Sequence, residues 1–137
     1  MIRPFHLAFL VRDLDETRVF YRDILGCGVG RSAETWIDFD FFGHQLSCHL
    51  GHVGGDRGSN AVDGDKVPIP HFGVVLAWDD WQVLSQRLTE AGIDFVIAPR
   101  IRFAGQPGEQ GTLFFRDPSG NALEFKSFRS DDSLFAQ

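Results

Sequence analysis

The sequence predicts an α+β fold built from two like halves. Three observations carry this. The order strand, helix, then two or three strands occurs twice. A histidine opens each half, at His6 and His71. A Gly- and Pro-rich stretch separates the halves. Module one covers about residues 4–50, a linker about 51–70, module two about 71–128, and a C-terminal tail 129–137. The 137 residues are read together as a single domain, a length that buries a substantial core.

Residues 5–11, Phe-His-Leu-Ala-Phe-Leu-Val, read as a buried strand. Asp13 then opens a helix as its cap, and Glu16 completes a capping-box pattern. Phe20, Tyr21, Ile24 and Leu25 fall at helical spacing and make the apolar stripe, with Gly26 as the terminating residue. Residues 36–42 and 45–50 read as two strands joined at Gly43-His44. The stretch 51–70 carries seven Gly or Pro residues and few apolar ones, so backbone entropy argues against regular structure there. The pattern restarts with the apolar strand 71–77. A second helix follows, capped by Asp79 or Asp80, with Trp81, Leu84, Leu88 and Ala91 on its stripe and Gly92 at its end. Residues 95–98 form a short strand and 99–111 a loop. Strands 112–116 and 122–128 are joined by the turn Asp117-Pro118-Ser119-Gly120.

The repeat can be counted. His6 maps to His71 at an offset of 65, and the segment Asp40–Gly43 maps to Asp117–Gly120 at an offset of 77. The added twelve residues are mostly those of the loop 99–111. Neither half buries both faces of its small sheet alone, so the halves must pack together or pair with another chain.

Composition excludes several function classes. Hydrophobic residues make up 43% and charged residues 23%, which excludes an intrinsically disordered chain. A net charge of −6 argues against nucleic-acid binding, which needs a positive field. Two cysteines cannot build a disulfide framework and point to a reduced, cytoplasmic setting. The longest uncharged apolar run, 72–78, is far short of the ~20 residues that a membrane helix needs. The chain carries no P-loop, GxSxG or GxGxxG pattern.

The residues able to carry chemistry follow from strand alternation. His6, Ala8 and Leu10 share one face of the first strand, and His71, Gly73 and Val75 the equivalent face of its counterpart. Glu124 shares a face of the last strand with Ala122 and Lys126. The small residues Ala8, Gly73 and Ala122 beside each ligand candidate would leave room for an ion or substrate. Two imidazoles and a carboxylate on neighbouring strands are the facial set used by Fe(II) and related ions, and three protein ligands leave positions open for substrate. Against this stands the ordinary fate of a strand histidine, a hydrogen-bonded core residue.

The tail Phe114-Phe115-Arg116-Asp117-Pro118-Ser119-Gly120-Asn121-Ala122-Leu123-Glu124-Phe125 resembles the signature of the vicinal oxygen chelate superfamily. The opening His6-Leu7-Ala8-Phe9-Leu10-Val11-Arg12-Asp13-Leu14 resembles it too, with Phe20-Tyr21 and Leu25-Gly26, so the similarity spans residues 4–128. That superfamily includes glyoxalase I, fosfomycin-resistance thiol transferases, methylmalonyl-CoA epimerase, extradiol dioxygenases and bleomycin-resistance proteins. The resemblance implies two tandem βαβββ modules forming a curved mixed sheet around a cleft. By position it implies His6, His71 and Glu124 as ligands of a divalent metal, Fe(II) favoured, with Mn(II), Ni(II), Zn(II) or Co(II) as alternatives.

Glyoxalase I and the epimerase carry a fourth ligand on the last strand of module one. The repeat identifies that position as residue 47, which is Ser47. This departure moves the expectation away from the glyoxalase I reaction. His49, two residues on, is the candidate general base, since an imidazole titrates near neutrality. Gln45 and Ser47 on the same face are candidates for substrate binding, as is Arg102 in the 99–111 loop through a carboxylate or phenolate. Extradiol enzymes often use a site tyrosine, but the single tyrosine here, Tyr21, belongs to the helical stripe. The expected function is a metal-dependent enzyme acting on a small oxygen-chelating substrate, with slight preference for an extradiol-type dioxygenase. Alternatives are a glyoxalase-like lyase or isomerase, a thiol transferase, and a non-catalytic binding protein of the bleomycin-resistance type. The expected assembly is a homodimer with a small-molecule substrate and neither nucleic acid nor membrane as partner.

Overall fold

A computed structural model describes residues 2–53 and 58–137. It is an α+β structure, and the chain divides into two compact units. The first contains residues 1–55 with Asp117–Gly120, the second residues 56–116 and 121–137.

In the first unit, β1 (His6–Val11) leads to α1 (Leu14–Arg18), which continues as a π-helical stretch over Val19–Ile24. Strands β2 (Gly28–Ala33), β3 (Trp36–Phe41) and β4 (His44–Leu50) follow, and the sheet order is β1-β4-β3-β2. β1 runs parallel to β4 in the register His6↔Gln45, Ala8↔Ser47, Leu10↔His49, and β3 pairs antiparallel with β4. Asp13 caps the helix as expected, accepting from the Glu16 amide at 2.8 Å. The Glu16 carboxylate does not close the capping box but binds the Arg12 guanidinium, an attraction stronger than a second amide bond offers. The helical stripe is buried at Phe20, Tyr21 and Leu25, and Tyr21 meets Phe39 and Phe41 of the sheet. Tyr21 is fully enclosed, with Phe39 5.2 Å away between ring centres, and its hydroxyl donates to Asp117 Oδ2 at 2.9 Å. That bond and the Arg12 amide donating to Ser119 Oγ hold the turn Asp117–Gly120 in this unit. β2 was not foreseen; all six of its residues are exposed, so it lacks the alternation that marks a half-buried strand.

The second unit corrects the sequence expectation in three places. The presumed linker contains a hairpin, β5 (Gly58–Val62) with β6 (Asp65–Ile69), while Gly54 and Gly55 lie outside the described residues. Its two-residue turn is Asp63-Gly64, with φ of 43° and 81°, the left-handed geometry that matches strand twist and that Asp-Gly adopts readily. Val67 of β6 is buried with Ile97 and Phe114, which supplies the burial that Gly and Pro content had concealed. Second, the segment 71–76 is not a full strand. It runs parallel beside β9 (Ala122–Phe128) with bridges only at Phe72↔Leu123 and Val75↔Lys126. Third, the loop 99–111 is shorter than expected. β7 (Ile97–Arg102) continues through Pro99 by a bulge, and β8 starts at Gln110 and ends at Arg116. β7, β8 and β9 form an antiparallel sheet. α2 (Trp78–Glu90) starts one residue before Asp79, with Ala77 as cap and Asp79 and Asp80 in its first turn. It buries Trp81, Leu84 and Leu88, and the Trp81 indole N–H donates to the Phe125 carbonyl at 3.0 Å.

The repeat appears in the registers. Leu7 opposes Leu46 in unit one and Phe72 opposes Leu123 in unit two, so Ser47 and Glu124 hold matching positions.

Candidate functional site

The second unit brings together two of the expected ligands. Glu124 sits mid-β9 and His71 stands just before the segment that runs beside that strand. His71 Nε2 lies 3.3 Å from Glu124 Oε1. The approach of the two backbones depends on Gly73. A Cβ there would lie 1.5 Å from the Glu124 carbonyl oxygen. Gly73 was expected to leave room for an ion; the space it leaves is taken by main chain.

Both side chains are held from behind. Glu124 Oε2 accepts from the fully buried Thr112 hydroxyl at 2.5 Å, a length typical of a hydroxyl donating to a carboxylate. His71 Nδ1 stands 2.7 Å from the Pro68 carbonyl oxygen. A carbonyl only accepts, so Nδ1 carries a proton; Nε2 faces Glu124, donating to it when the ring is protonated and presenting its lone pair when the ring is neutral. Phe114, edge-to-face at 4.9 Å, limits rotation of the imidazole. Side-chain exposures of 25% for His71 and 15% for Glu124 leave the pair reachable from solvent.

The electrostatics follow. The hydrogen bond to Glu124 holds the His71 pKa above its ordinary value, against the opposing effect of burial. Burial by itself would raise the Glu124 carboxyl. The hydrogen bonds from His71 and Thr112, helped by the Lys126 and His71 charges, outweigh it and the net shift is downward. Two basic atoms 3.3 Å apart thus require a cation between or upon them, either a proton or a metal ion.

The other expected residues lie in different settings. His6 is exposed on β1 of the first unit, in register with the exposed Gln45. Ser47 is buried and donates to Asp38 Oδ1 at 2.6 Å. His49 is exposed between Leu10 and Trp36, four residues along the strand from the partner of His6, a separation of about 13 Å at strand rise. Within unit one, His6 is therefore neighboured by Gln45, and His49 is not beside it. Arg102 is 2% exposed; its guanidinium donates to the Val62 carbonyl and lies 3.1 Å from Asp65 Oδ2. Among the described residues, no group of three or more His, Cys, Asp or Glu side chains is placed to hold a metal ion.

Sequence reasoning missed Thr112, Pro68 and Asp38. Thr112 was legible in principle, since alternation puts it on the Glu124 face of the neighbouring strand. Asp38, directly opposite Ser47, was likewise legible once β3 and β4 were paired. The Pro68 carbonyl had no sequence signal, because any residue supplies one. No helix among the described residues is long and apolar enough to cross a membrane.

Comparison with known proteins identifies the family. The family model described as the glyoxalase/bleomycin resistance protein/dioxygenase superfamily matches residues 3–125. A solved glyoxalase/bleomycin resistance protein/dioxygenase from Alicyclobacillus acidocaldarius is 38% identical, with a TM-score of 0.79 and 96% of each chain covered. The glutathione transferase FosA of Serratia marcescens is 26% identical, over 87% of this chain and 76% of its own length. Glyoxylase I 4 of Arabidopsis thaliana is 29% identical, over 87% of this chain and 67% of its own length. The match spans nearly the whole chain, and the chain belongs to the glyoxalase/bleomycin resistance protein/dioxygenase superfamily.

Proposed function

We propose that this chain is a divalent-metal-dependent enzyme acting on a small substrate that presents two neighbouring oxygens. The observation that carries the proposal is the His71–Glu124 pair. An imidazole nitrogen and a carboxylate oxygen face each other at 3.3 Å, each side chain fixed from behind by a hydrogen bond. A hard-to-borderline divalent cation suits one nitrogen and one oxygen donor. The repeat offers His6, the sequence counterpart of His71, as the candidate third ligand in this proposal, and the proposed assembly is a homodimer. When bound, the ion would polarise a substrate oxygen and stabilise negative charge that develops there.

Within the superfamily we favour addition of a thiol, or a lyase or isomerase reaction, over ring-cleaving dioxygenation. Two features support this order. The relatives include a glutathione transferase and a glyoxylase I. The single tyrosine, Tyr21, is fully buried and bonded to Asp117, so it is not available to a substrate. Gln45 is the polar neighbour of His6 and a candidate to bind substrate, and His49, about 13 Å away, is a weaker candidate for a base at the ion.

The test is metal analysis and titration of protein purified without a metal-affinity tag. One bound divalent ion per chain, lost in His71→Ala and Glu124→Gln, supports the proposal. Turnover screening follows, with glutathione plus epoxide or 2-oxoaldehyde substrates, and with catechols under oxygen-uptake measurement. No bound ion, and a melting temperature unmoved by Mn(II), Ni(II), Zn(II) or Fe(II), would leave the binding-protein reading in its place.

A further inference from the structure

The hairpin β5–β6 packs on the sheet of its own unit by an unusual concentration of charge. Arg100 donates to Asp65 Oδ2 at 3.0 Å and to Asp63 Oδ2 at 3.1 Å. Arg102 reaches the same Asp65 oxygen at 3.1 Å and donates to the Val62 carbonyl. The Phe103 amide adds a second donor to Asp63 at 3.3 Å. Two guanidinium groups on one edge strand therefore clasp both carboxylates at the hairpin turn. Arg102 is 2% exposed, and its Nε is buried with no hydrogen-bond partner among the described residues. A buried cation with unsatisfied N–H groups is costly, and replacing such a residue by an apolar one commonly stabilises a fold. A role beyond stability would account for that cost.

The far end of β6 supplies one. Pro68 lies three residues beyond Asp65 on the same strand, and its carbonyl is the acceptor that fixes His71 Nδ1–H. The clasp at the turn thus sets where β6 lies over the sheet, and β6 sets the carbonyl that orients the imidazole. We propose that Asp65, Arg100 and Arg102 are positioning residues. Through the Pro68 carbonyl they hold His71 in the single tautomer and rotation that aims Nε2 at Glu124. This rests on the ligand role proposed above only for its functional consequence; the tautomer itself is a property of the metal-free protein. An imidazole fixed by a carbonyl behind it is a better-aimed donor, and loss of such an outer partner lowers metal affinity about 10–100-fold in other sites.

The experiment uses the full chain and two readouts. The first is the two-bond nitrogen–proton spectrum of His71 in the metal-free protein at alkaline pH, where the ring is neutral. The second is Mn(II) affinity by calorimetry. Wild type should show one tautomer with the proton on Nδ1. Asp65→Asn, which keeps shape and removes the charge, and Arg102→Gln should show mixed tautomers and an Mn(II) affinity lowered about tenfold. Arg102→Lys, which keeps the charge, should restore part of both. Arg100→Gln, at a half-exposed position, provides the same test should the buried variants fail to fold. A His71 that stays a pure Nδ1–H tautomer in every folded variant would overturn the proposal. Should wild type bind no Mn(II) yet show the tautomer shift in the variants, positioning stands and the metal reading falls.

Discussion

Gly73→Ala is the sharpest single test of how this site is assembled. The added methyl carbon would sit 1.5 Å from the Glu124 carbonyl oxygen, whereas ordinary contact begins near 3.4 Å. Main chain, not a flexible side chain, blocks it, so segment 71–76 must withdraw by about 2 Å from β9. The bonds that tie the two are Glu124 N–H to the Phe72 carbonyl at 2.8 Å, Leu76 N–H to Lys126 at 2.8 Å, Phe72 N–H to Ala122 at 3.2 Å and Lys126 N–H to Val74 at 3.3 Å. A 2 Å shift at Gly73 takes the three nearest it, those of Phe72, Glu124 and Val74, beyond hydrogen-bonding range, while the Leu76 bond lies farther along the segment. At about 1 kcal/mol net each, the expected loss is about 3 kcal/mol, at the upper end of usual overpacking costs. His71, two residues upstream, moves with the segment, so Mn(II) affinity should drop by at least tenfold. Urea unfolding and calorimetric titration measure both. Gly58→Ala is the control: nothing lies within 4 Å of a Cβ there, and its stability should change by no more than about 0.5 kcal/mol. A Gly73→Ala protein within 1 kcal/mol of wild type would refute the close-approach argument.

Thr112→Val keeps the shape of a buried side chain and deletes the hydroxyl that donates to Glu124 Oε2, so Mn(II) affinity should fall about tenfold, and an unchanged isotherm would remove Thr112 from the site. Tyr21→Phe removes the donor to the buried Asp117 carboxylate and should cost about 1.5–3 kcal/mol in urea unfolding with no change in metal affinity. In the metal-free protein, the raised His71 pKa contributes stability that is full below the ordinary value of 6.5 and is lost as pH rises through the folded value. The lowered Glu124 pKa contributes stability that is full above 4.5 and is lost as pH falls through its folded value. The pair should therefore add most to the melting temperature between about pH 4.5 and 6.5. His71→Gln should flatten that dependence, and an identical pH profile in the variant would show that the pair is not coupled. Metal binding should run the other way at the acid side, weakening as protons compete for Nε2.

Local chemistry determined much of this protein. Asp13 caps its helix because the carboxylate reaches a free amide three residues on, and that requirement is satisfied within one turn. The apolar stripe of Phe20, Tyr21 and Leu25 and the turn at Asp117–Gly120 are likewise short-range. The residue patterns at 6–14 and 114–125 marked the family, and the duplicated order of elements marked the positional match of Ser47 with Glu124, because strand register carries a period of two that survives in the residues. Tertiary structure decided the rest. The hairpin at 58–69 was concealed because Gly, Pro and charged residues gain burial and ion pairs only against β7 and its neighbours, which lie 30 to 40 residues away. β2 forms as an edge strand from exposed residues with no pattern of their own, by pairing with β3. The orientation of His71 depends on a carbonyl, the one group that every residue shares and no sequence marks, so only the path of the backbone could determine it.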